Sequence, residues 1–218
     1  EFFEVTEAIY TEEDEDFGLV GEQLPTTIHA ELSYEGSVLS TYEFSASYKP
    51  NGLPTEYNST LTVNPYSISV GFSHDPYSNA SSKFSFKKNS DILLETFAEM
   101  NGDWSKENIE DNVVTTTEYY GYYEEENTEV TFENIVNDAN AYFQVLNIKV
   151  AGMVDIKSLA TKAREYEDQL DAETITEKAY AEKMVEAINS HAKLVVVDSK
   201  GNALIAKVEC YTYYDEEW

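Results

Sequence analysis

A strict alternation of apolar and polar residues runs through the front half of the chain and limits most strongly what it can fold into. The clearest stretch is residues 66–73, where Tyr66, Ile68 and Val70 alternate with serines and a glycine. Successive side chains of a β-strand point to opposite faces, so a period of two residues is typical of a strand with one buried face and one solvated face.

Five such segments follow one another with short connections. Turn-forming residues separate them, as at Gly36-Ser37 and in the run from Lys49 to Pro54. Consecutive strands joined by short turns pair antiparallel, and a sheet of this kind can leave one face in solvent. The segments predicted as strands are 27–35, 38–48, 57–63, 66–73 and 84–86.

The period changes to that of a helix behind this meander. Leu93, Leu94 and Phe97 recur at the spacing of one helical face. Asn89-Ser90 supplies a candidate N-cap, and a glycine commonly ends a helix. We therefore expect a helix that begins after Asn89-Ser90 and ends at Gly102.

Three more strands are predicted in the back half. Residues 113–123 and 129–133 have strand character on either side of an acidic turn at 124–127. Residues 142–154 form the longest apolar-rich run and are predicted as one long strand. The inner face of that strand is expected to carry Leu146, Ile148 and Val150.

Two helices and a hairpin close the chain. Apolar residues recur at helical spacing through 156–170, and a second helix opens with Thr174-x-x-Glu177, the pattern of a capping box. A hairpin from Lys193 to Tyr214 follows. Its buried side is expected to consist of Leu204, Ala206, Val208 and Cys210.

These elements predict an α+β fold: an antiparallel β-meander of seven or more strands, packed against a C-terminal helix pair and closed by a β-hairpin. Residues 1–26 include a run of acidic residues and are expected to form a partly flexible N-terminal segment. Residues 27–218 are expected to form a single α+β domain, with a subdivision near residue 102 as the alternative.

The charge balance excludes several classes of partner. The chain has 42 Asp and Glu residues against 14 Lys and Arg residues, which gives a formal net charge of −28 at pH 7. Such a surface repels phosphate backbones and anionic lipid, so we expect no nucleic-acid partner. No stretch approaches the ~20 consecutive apolar residues of a membrane-spanning helix, so we expect no transmembrane segment.

The acidic run near the N-terminus is the feature that suggests a metal. Glu12, Asp14 and Asp16 offer the carboxylate oxygens that Ca²⁺ prefers, but the run lacks the spacing of an EF-hand loop. A solvated acidic surface is the competing interpretation. The three histidines are scattered, so no transition-metal site is predicted, and calcium is the one cofactor that the sequence suggests.

The motifs of covalent and phosphate chemistry are missing from the sequence. It has no Gly-x-Ser-x-Gly elbow and no glycine-rich phosphate loop. Cys210, the one cysteine, falls in phase with its apolar neighbours and is expected to be a small buried hydrophobe. A pair of carboxylates could hydrolyse a glycan, but among 42 acidic residues no pair stands out, so no catalytic residue is assigned.

Clustered tyrosines are the sequence feature that best suggests recognition. The run 119–123 places two tyrosines on each face of a strand, so one pair should be exposed on a sheet with one buried face. Exposed tyrosines suit protein or glycan ligands, although aromatic residues also cap a thin core. The candidate ligand-binding residues are Tyr119, Tyr120, Tyr122, Tyr123, Tyr213 and Trp218.

The back half resembles exported lipoproteins of gut Bacteroidetes that have no assigned activity. The resemblance lies in residues 146–156, where a strand passes into a helix, in the helix pair with residues 187–191, and in the terminal hairpin with Gly201. It implies a location in the periplasm or at the outer-membrane surface of a bacterium. A lipid-bearing cysteine at the start is not in this chain, so a lipid anchor would belong to the precursor.

The sequence thus favours a non-catalytic, exported envelope or surface protein that serves as a structural module or binds a protein or glycan ligand. A glycan-active hydrolase that uses an Asp/Glu pair is one alternative. A divalent-cation-binding surface protein is the other.

Overall fold

The computed structural model describes residues 2–10, 23–49, 54–120, 123–200 and 203–212. Within these residues the chain forms an eleven-stranded sheet, a two-stranded sheet and four helices. In chain order the elements are β1 (Phe2–Tyr10), β2 (Gln23–Tyr34), β3 (Ser37–Tyr48), β4 (Pro54–Val63), β5 (Tyr66–Asp75), β6 (Asn79–Lys88), β7 (Asp91–Gly102), α1 (Lys106–Asn112), β8 (Val113–Tyr120), β9 (Tyr123–Val130), α2 (Phe132–Ile135), β10 (Val136–Val145), β11 (Ile148–Asp155), α3 (Ile156–Asp171), α4 (Glu177–His191), β12 (Ala192–Asp198) and β13 (Ala203–Val208).

The large sheet is a meander, which confirms the predicted α+β class. Its strands lie side by side in chain order, except that β8 and β9 form their own hairpin and β7 therefore pairs directly with β10. Every neighbouring pair in it is antiparallel. The local alternation and the short turns explain this arrangement, because a hairpin needs only a few linking residues.

The pairing register separates apolar from polar side chains. Residues directly opposite one another in neighbouring strands share a face. Leu61 lies opposite Ile68, Ile68 opposite Phe86, and Phe86 opposite Leu94. We call this side the apolar face, and the other side the polar face. The apolar residues of this face include Leu32, Tyr42, Phe44, Leu61, Val63, Ile68, Val70, Phe84, Phe86, Leu94, Ala98, Met100, Ala141, Phe143, Val145, Val150, Leu194 and Val196, and the hydroxyl residues Ser40, Ser59, Ser82 and Thr96 lie among them.

Much of the apolar face is exposed, although the alternation predicted it as the inward side. Leu61 is 42% exposed, Ile68 40% and Phe143 48%. Among the described residues the fully buried hydrophobic side chains are Ile135, Val136 and Ala187. The prediction of which residues share a face is confirmed, but the prediction that they are buried is wrong, because no second layer of the described chain covers them.

The helices do not cover that face because all four join one end of the sheet. α1 follows β7, α2 precedes β10, α3 follows β11 and α4 precedes β12. These four strand ends lie side by side, since Val136 pairs with Gly102 and Val154 pairs with Ala192. The buried residues Ile135 and Val136 lie at this end.

None of the helices in the described residues has the length and apolar character needed to cross a bilayer.

The helix predicted after Asn89-Ser90 is wrong. Residues 91–102 form β7, which pairs with β6 on one side and β10 on the other. This strand has apolar residues on both faces, with Leu94 on the apolar face and Phe97 on the polar face. Apolar residues from both faces together fell at helical spacing, which led to the wrong prediction. Asn89, with φ 53°, lies in the hairpin turn between β6 and β7.

The long strand predicted at 142–154 is also wrong, because two strands share that run. β10 ends at Val145, a turn at Leu146-Asn147 follows, and β11 begins at Ile148. Leu146 takes φ 53° in this turn, and its side chain is 56% exposed rather than inward. The apolar pattern continued across the turn because Val145 and Ile148 are paired on one face.

The acidic turn predicted at 124–127 lies within β9 instead. β8 and β9 pair from Val113 with Val130 to Tyr120 with Tyr123, so residues 124–127 are paired strand residues. Residues 132–135, at the end of the second strand predicted there, form the short helix α2. The run of glutamates therefore belongs to a strand rather than to a turn.

Two details of the C-terminal region differ from the sequence predictions. The N-cap of α4 is Thr176, whose hydroxyl accepts a hydrogen bond from the Ala179 amide at 3.2 Å, whereas Thr174 donates to the Gln169 carbonyl. Leu204, Val208 and Cys210 are exposed, not buried. Leu204 and Val208 belong to β13, which is at the edge of the sheet and pairs with β12, and Cys210 follows the end of this strand.

Gly102 provides a test of this arrangement. A Cβ at Gly102 would overlap the carbonyl oxygen of Ile135, which is backbone and cannot rotate away. We expect Gly102→Ala to reduce the free energy of unfolding by about 2 kcal/mol, since overpacking a close backbone approach costs roughly that much. Denaturant unfolding followed by circular dichroism measures this loss.

Gly152→Ala is the matched control. A Cβ there would meet its nearest neighbour, Leu194 Cδ1, at an ordinary 3.5 Å, so its effect should stay within about 0.5 kcal/mol. Equal stability of the two variants would contradict the close approach of β7 to α2.

Candidate binding groove on the apolar face

A groove lies on the apolar face where β7, β10, β11 and β12 run side by side. Its volume is about 730 Å³. Register explains why it forms there: Ala98, Ala141 and Gly152 stand opposite one another in three adjacent strands. Three small residues in a row leave a depression across the strands, and Leu194 of β12 continues the row.

Larger side chains flank this row on both sides. One neighbouring row contains Thr96, Phe143 and Val150, and the other contains Met100 and Val154 with Ala139 between them. Glu99 and Lys193 are the charged residues among those that line the groove, and by register both belong to the polar face. Its size lies within the ~300–1,000 Å³ typical of small-molecule sites. The groove therefore suits an elongated apolar molecule.

A buried polar cluster lies on the polar face directly behind the groove. The Glu95 carboxylate is 5% exposed, accepts a hydrogen bond from the Tyr142 hydroxyl at 2.6 Å and forms an ion pair with Lys83 at 3.1 Å. The Phe97 and Tyr142 rings stack with centroids 5.4 Å apart, and the Lys149 ammonium lies 3.8 Å from the Tyr142 centroid. The cluster joins β6, β7, β10 and β11.

The pKa values in this cluster are shifted in the directions of a structural network. Burial alone would raise the pKa of Glu95, but the hydrogen bond from Tyr142 and the charge of Lys83 hold it below its ordinary value. Burial, and then the bond to Glu95, raise the pKa of Tyr142 to about 12. At neutral pH Glu95 is charged and Tyr142 is protonated. A glycosidase acid needs the opposite shift, a raised carboxyl pKa.

Gln144 extends the buried polar row. It is 5% exposed and donates to the Leu146 carbonyl at 2.8 Å and to the Ser199 hydroxyl at 3.1 Å. These bonds connect the turn between β10 and β11 with the end of β12. A second cavity of about 650 Å³ lies here, and its lining includes Glu95, Gln144 and Lys149.

The tyrosines predicted as a ligand site are only partly within the described residues. Tyr119 and Tyr120 lie in β8 and Tyr123 in β9, where Tyr120 pairs with Tyr123. This pairing brings three of the six predicted residues to one end of the small hairpin, away from the residues that line the groove. Tyr122, Tyr213 and Trp218 lie outside the described residues. Their role in recognition stays a prediction.

The predicted calcium ligands Glu12, Asp14 and Asp16 also lie outside the described residues. In the ranges that are described, no group of three or more His, Cys, Asp or Glu side chains is placed to hold a metal ion. Cys210 is within them, and its backbone is fixed by two hydrogen bonds with the Asn189 side chain, each 2.8 Å long.

The groove itself was not predicted from the sequence. Its floor comes from Ala98, Ala141 and Gly152, which belong to three separate strands. The only local signal was alanine or glycine at a position where the alternation favours a large apolar residue. The groove follows from this signal only when β7 is paired with β10, and the wrong helix prediction at 91–102 excluded that pairing.

The Tyr142–Glu95 bond predicts a specific dependence of stability on pH. The folded pKa of Tyr142 is raised to about 12. Its contribution to the free energy of unfolding is therefore complete below pH 10, the ordinary pKa of tyrosine, and is lost as the pH rises through 12. We expect Tyr142→Phe to lower the free energy of unfolding by about 1.5–3 kcal/mol at pH 7, the range for a hydrogen bond to a charged group. The deficit should shrink between pH 10 and 12.

Tyr77→Phe is the control, because the Tyr77 side chain is 75% exposed. Urea unfolding at pH 7, 9, 10 and 11 measures both variants against the unsubstituted chain. A Tyr142→Phe deficit that does not change with pH would contradict the hydrogen bond.

Comparisons with protein-family models, with curated proteins and with solved structures gave no match. The resemblance of residues 146–156 and of the following segments to exported lipoproteins therefore stays a prediction.

Proposed function

We propose that this chain is a non-catalytic binding module of the bacterial envelope that holds an elongated apolar ligand, of the acyl-chain class, in the groove of the apolar face. The observation that carries the proposal is the row of Ala98, Ala141 and Gly152 between rows of larger apolar side chains. An exported location, in the periplasm or at the outer-membrane surface, is part of the proposal and rests on the resemblance of the back half to exported lipoproteins.

The size of the groove agrees with useful affinity. Complete burial of a sixteen-carbon chain would supply roughly 11 kcal/mol at ~0.8 kcal/mol per methylene, and an open groove realises only part of this. Association costs of about 4 kcal/mol or more reduce this to a dissociation constant in the micromolar range or weaker.

Two observations favour binding over catalysis. The groove is lined mainly by aliphatic and aromatic side chains, and it holds no cluster of nucleophile and base. The buried Glu95 behind it has a lowered pKa, so it is suited to an ion pair rather than to proton donation. No contact among the described residues favours the calcium-binding or glycan-hydrolysing alternatives over this one.

The helices would serve as the fixed end of the binding sheet. Arg164 of α3 forms an ion pair with the nearly buried Glu133 of α2, and Asp155 caps α3 by accepting from the Ser158 amide at 2.9 Å. Asn101 of β7 donates to Asp138 of β10 at 2.7 Å beside them. We propose that the C-terminal helix pair and the β12–β13 hairpin hold the strands that line the groove in one register.

Filling the groove tests the proposal. Titration with a neutral, fluorescent sixteen-carbon monoglyceride avoids repulsion from the acidic surface. We expect saturable binding in the micromolar range, and at least a tenfold weaker affinity for Ala141→Phe, because the larger ring occupies the row of small residues.

Ala206→Phe is the matched control, since Ala206 is exposed on the same face but outside the groove lining. Its affinity should change less than twofold. A monoglyceride that does not bind, or that binds Ala141→Phe as tightly as the unsubstituted chain, would exclude the groove as its site.

A further inference from the structure

The apolar face extends far beyond the groove. Leu61 and Val63 of β4 and Ile68 and Val70 of β5 are 37–50% exposed, and none of the four lines the groove. Toward the two opposite edges of the sheet, Leu32 of β2 and Val208 of β13 are each 47% exposed. One acyl chain cannot cover side chains spread over ten strands. A monomeric protein seldom leaves an apolar patch of this extent in water.

The face also lacks charge, in a chain whose net charge is −28. The Asp, Glu and Lys residues of strands β2–β7 and β10–β12 belong to the polar face by register, apart from three at strand ends. The three exceptions are Lys88, Asp91 and Asp198. Depletion of charge over a continuous apolar area is the compositional mark of the core of a protein interface.

The area matches that of a stable dimer. Ten strands spaced ~4.8 Å apart, each contributing about 20 Å of its length, give a face of roughly 900 Å². Two such faces would bury roughly 1,800 Å² in total, within the 1,200–2,000 Å² of a standard stable interface. Two sheets that pack face to face at about 10 Å are the ordinary way to bury sheets with one apolar side.

We propose that a second copy of this chain covers the apolar face, so that two sheets pack face to face across a two-fold axis. The same residues serve on both copies, as a symmetric dimer requires. A lipid surface is a poorer occupant, because a protein of this net charge is repelled by anionic head groups. The dimer would enclose the two grooves between the sheets, so it is compatible with a bound ligand but does not depend on one.

The charge of the two copies makes the dimer dependent on salt. The polar faces point away from the interface, which places the acidic residues of the two sheets roughly 20 Å apart. The Debye length is about 8 Å at 0.15 M salt and about 30 Å at 0.01 M. Repulsion between the copies is therefore screened at physiological salt and acts fully at low salt. We expect a dimer at 0.15–0.3 M salt that dissociates near 0.01 M.

Adjacent residues of β4 provide the decisive pair of variants. Leu61 lies on the apolar face and Thr62 on the polar face, and each is changed to glutamate. Both changes add one negative charge, but only Leu61→Glu places it inside the interface. Sedimentation velocity at about 0.3 M salt should show a dimer for the unsubstituted chain and for Thr62→Glu, and at least a hundredfold weaker association for Leu61→Glu. Leu61→Ser, which adds no charge, should weaken the dimer less.

Circular dichroism verifies that the variants keep their sheet, and the salt series on the unsubstituted chain gives an answer even if Leu61→Glu does not fold. A monomer at both salt concentrations overturns the proposal, as does equal weakening by Thr62→Glu and Leu61→Glu. Monoglyceride titration of the same samples separates the two proposals. A monomer that binds the monoglyceride overturns only the dimer, and a dimer that does not bind it overturns only the groove.

Discussion

The pairing register of the large sheet is the constraint on which the other features depend. The register brings apolar residues of successive strands into common rows, as where Leu61, Ile68, Phe86 and Leu94 stand in one row across four strands. A slip of one residue in any pair would place serines and lysines among aliphatic side chains. Charge and apolar surface are therefore separated by register alone, without a second layer to enforce it.

Buried polar contacts on the polar face reinforce this register where hairpins cannot. β7 and β10 are joined by a long insertion rather than by a turn, as are β11 and β12, so these two pairings are long-range contacts of the meander. The Glu95–Tyr142 bond crosses the pair of β7 and β10, and the close approach at Gly102 fixes its end. The groove lies across the same strands, so its shape depends on the contacts that close the insertion.

The sequence was sufficient for the front half because its information is local. Alternation fixes which residues of β3, β4 and β5 share a face, and the turns between them fix their order. The same reasoning failed at 91–102, where Leu94 and Phe97 lie on opposite faces of a central strand, and at 145–148, where an apolar pattern crosses a turn. Cys210 was assigned to a buried face because alternation reports the side of a strand, not whether anything covers that side. The groove depends on three strands that meet only in the folded sheet, so no local pattern could reveal it.

The acidity of the chain and its open apolar face are best understood together. An exposed apolar area of this size invites indiscriminate association, and a high net charge counters it through long-range repulsion between copies. That repulsion acts over a Debye length, whereas apolar contact acts only where surfaces meet. A partner whose charges point away from the contact can therefore bind to the apolar face. A partner whose acidic groups face the contact is disfavoured, because those groups are repelled by this chain and would lose their solvation. The separation of charge from apolar surface thus makes the apolar face selective among partners. The charges of the polar face determine the salt concentration at which a partner can cover the apolar face.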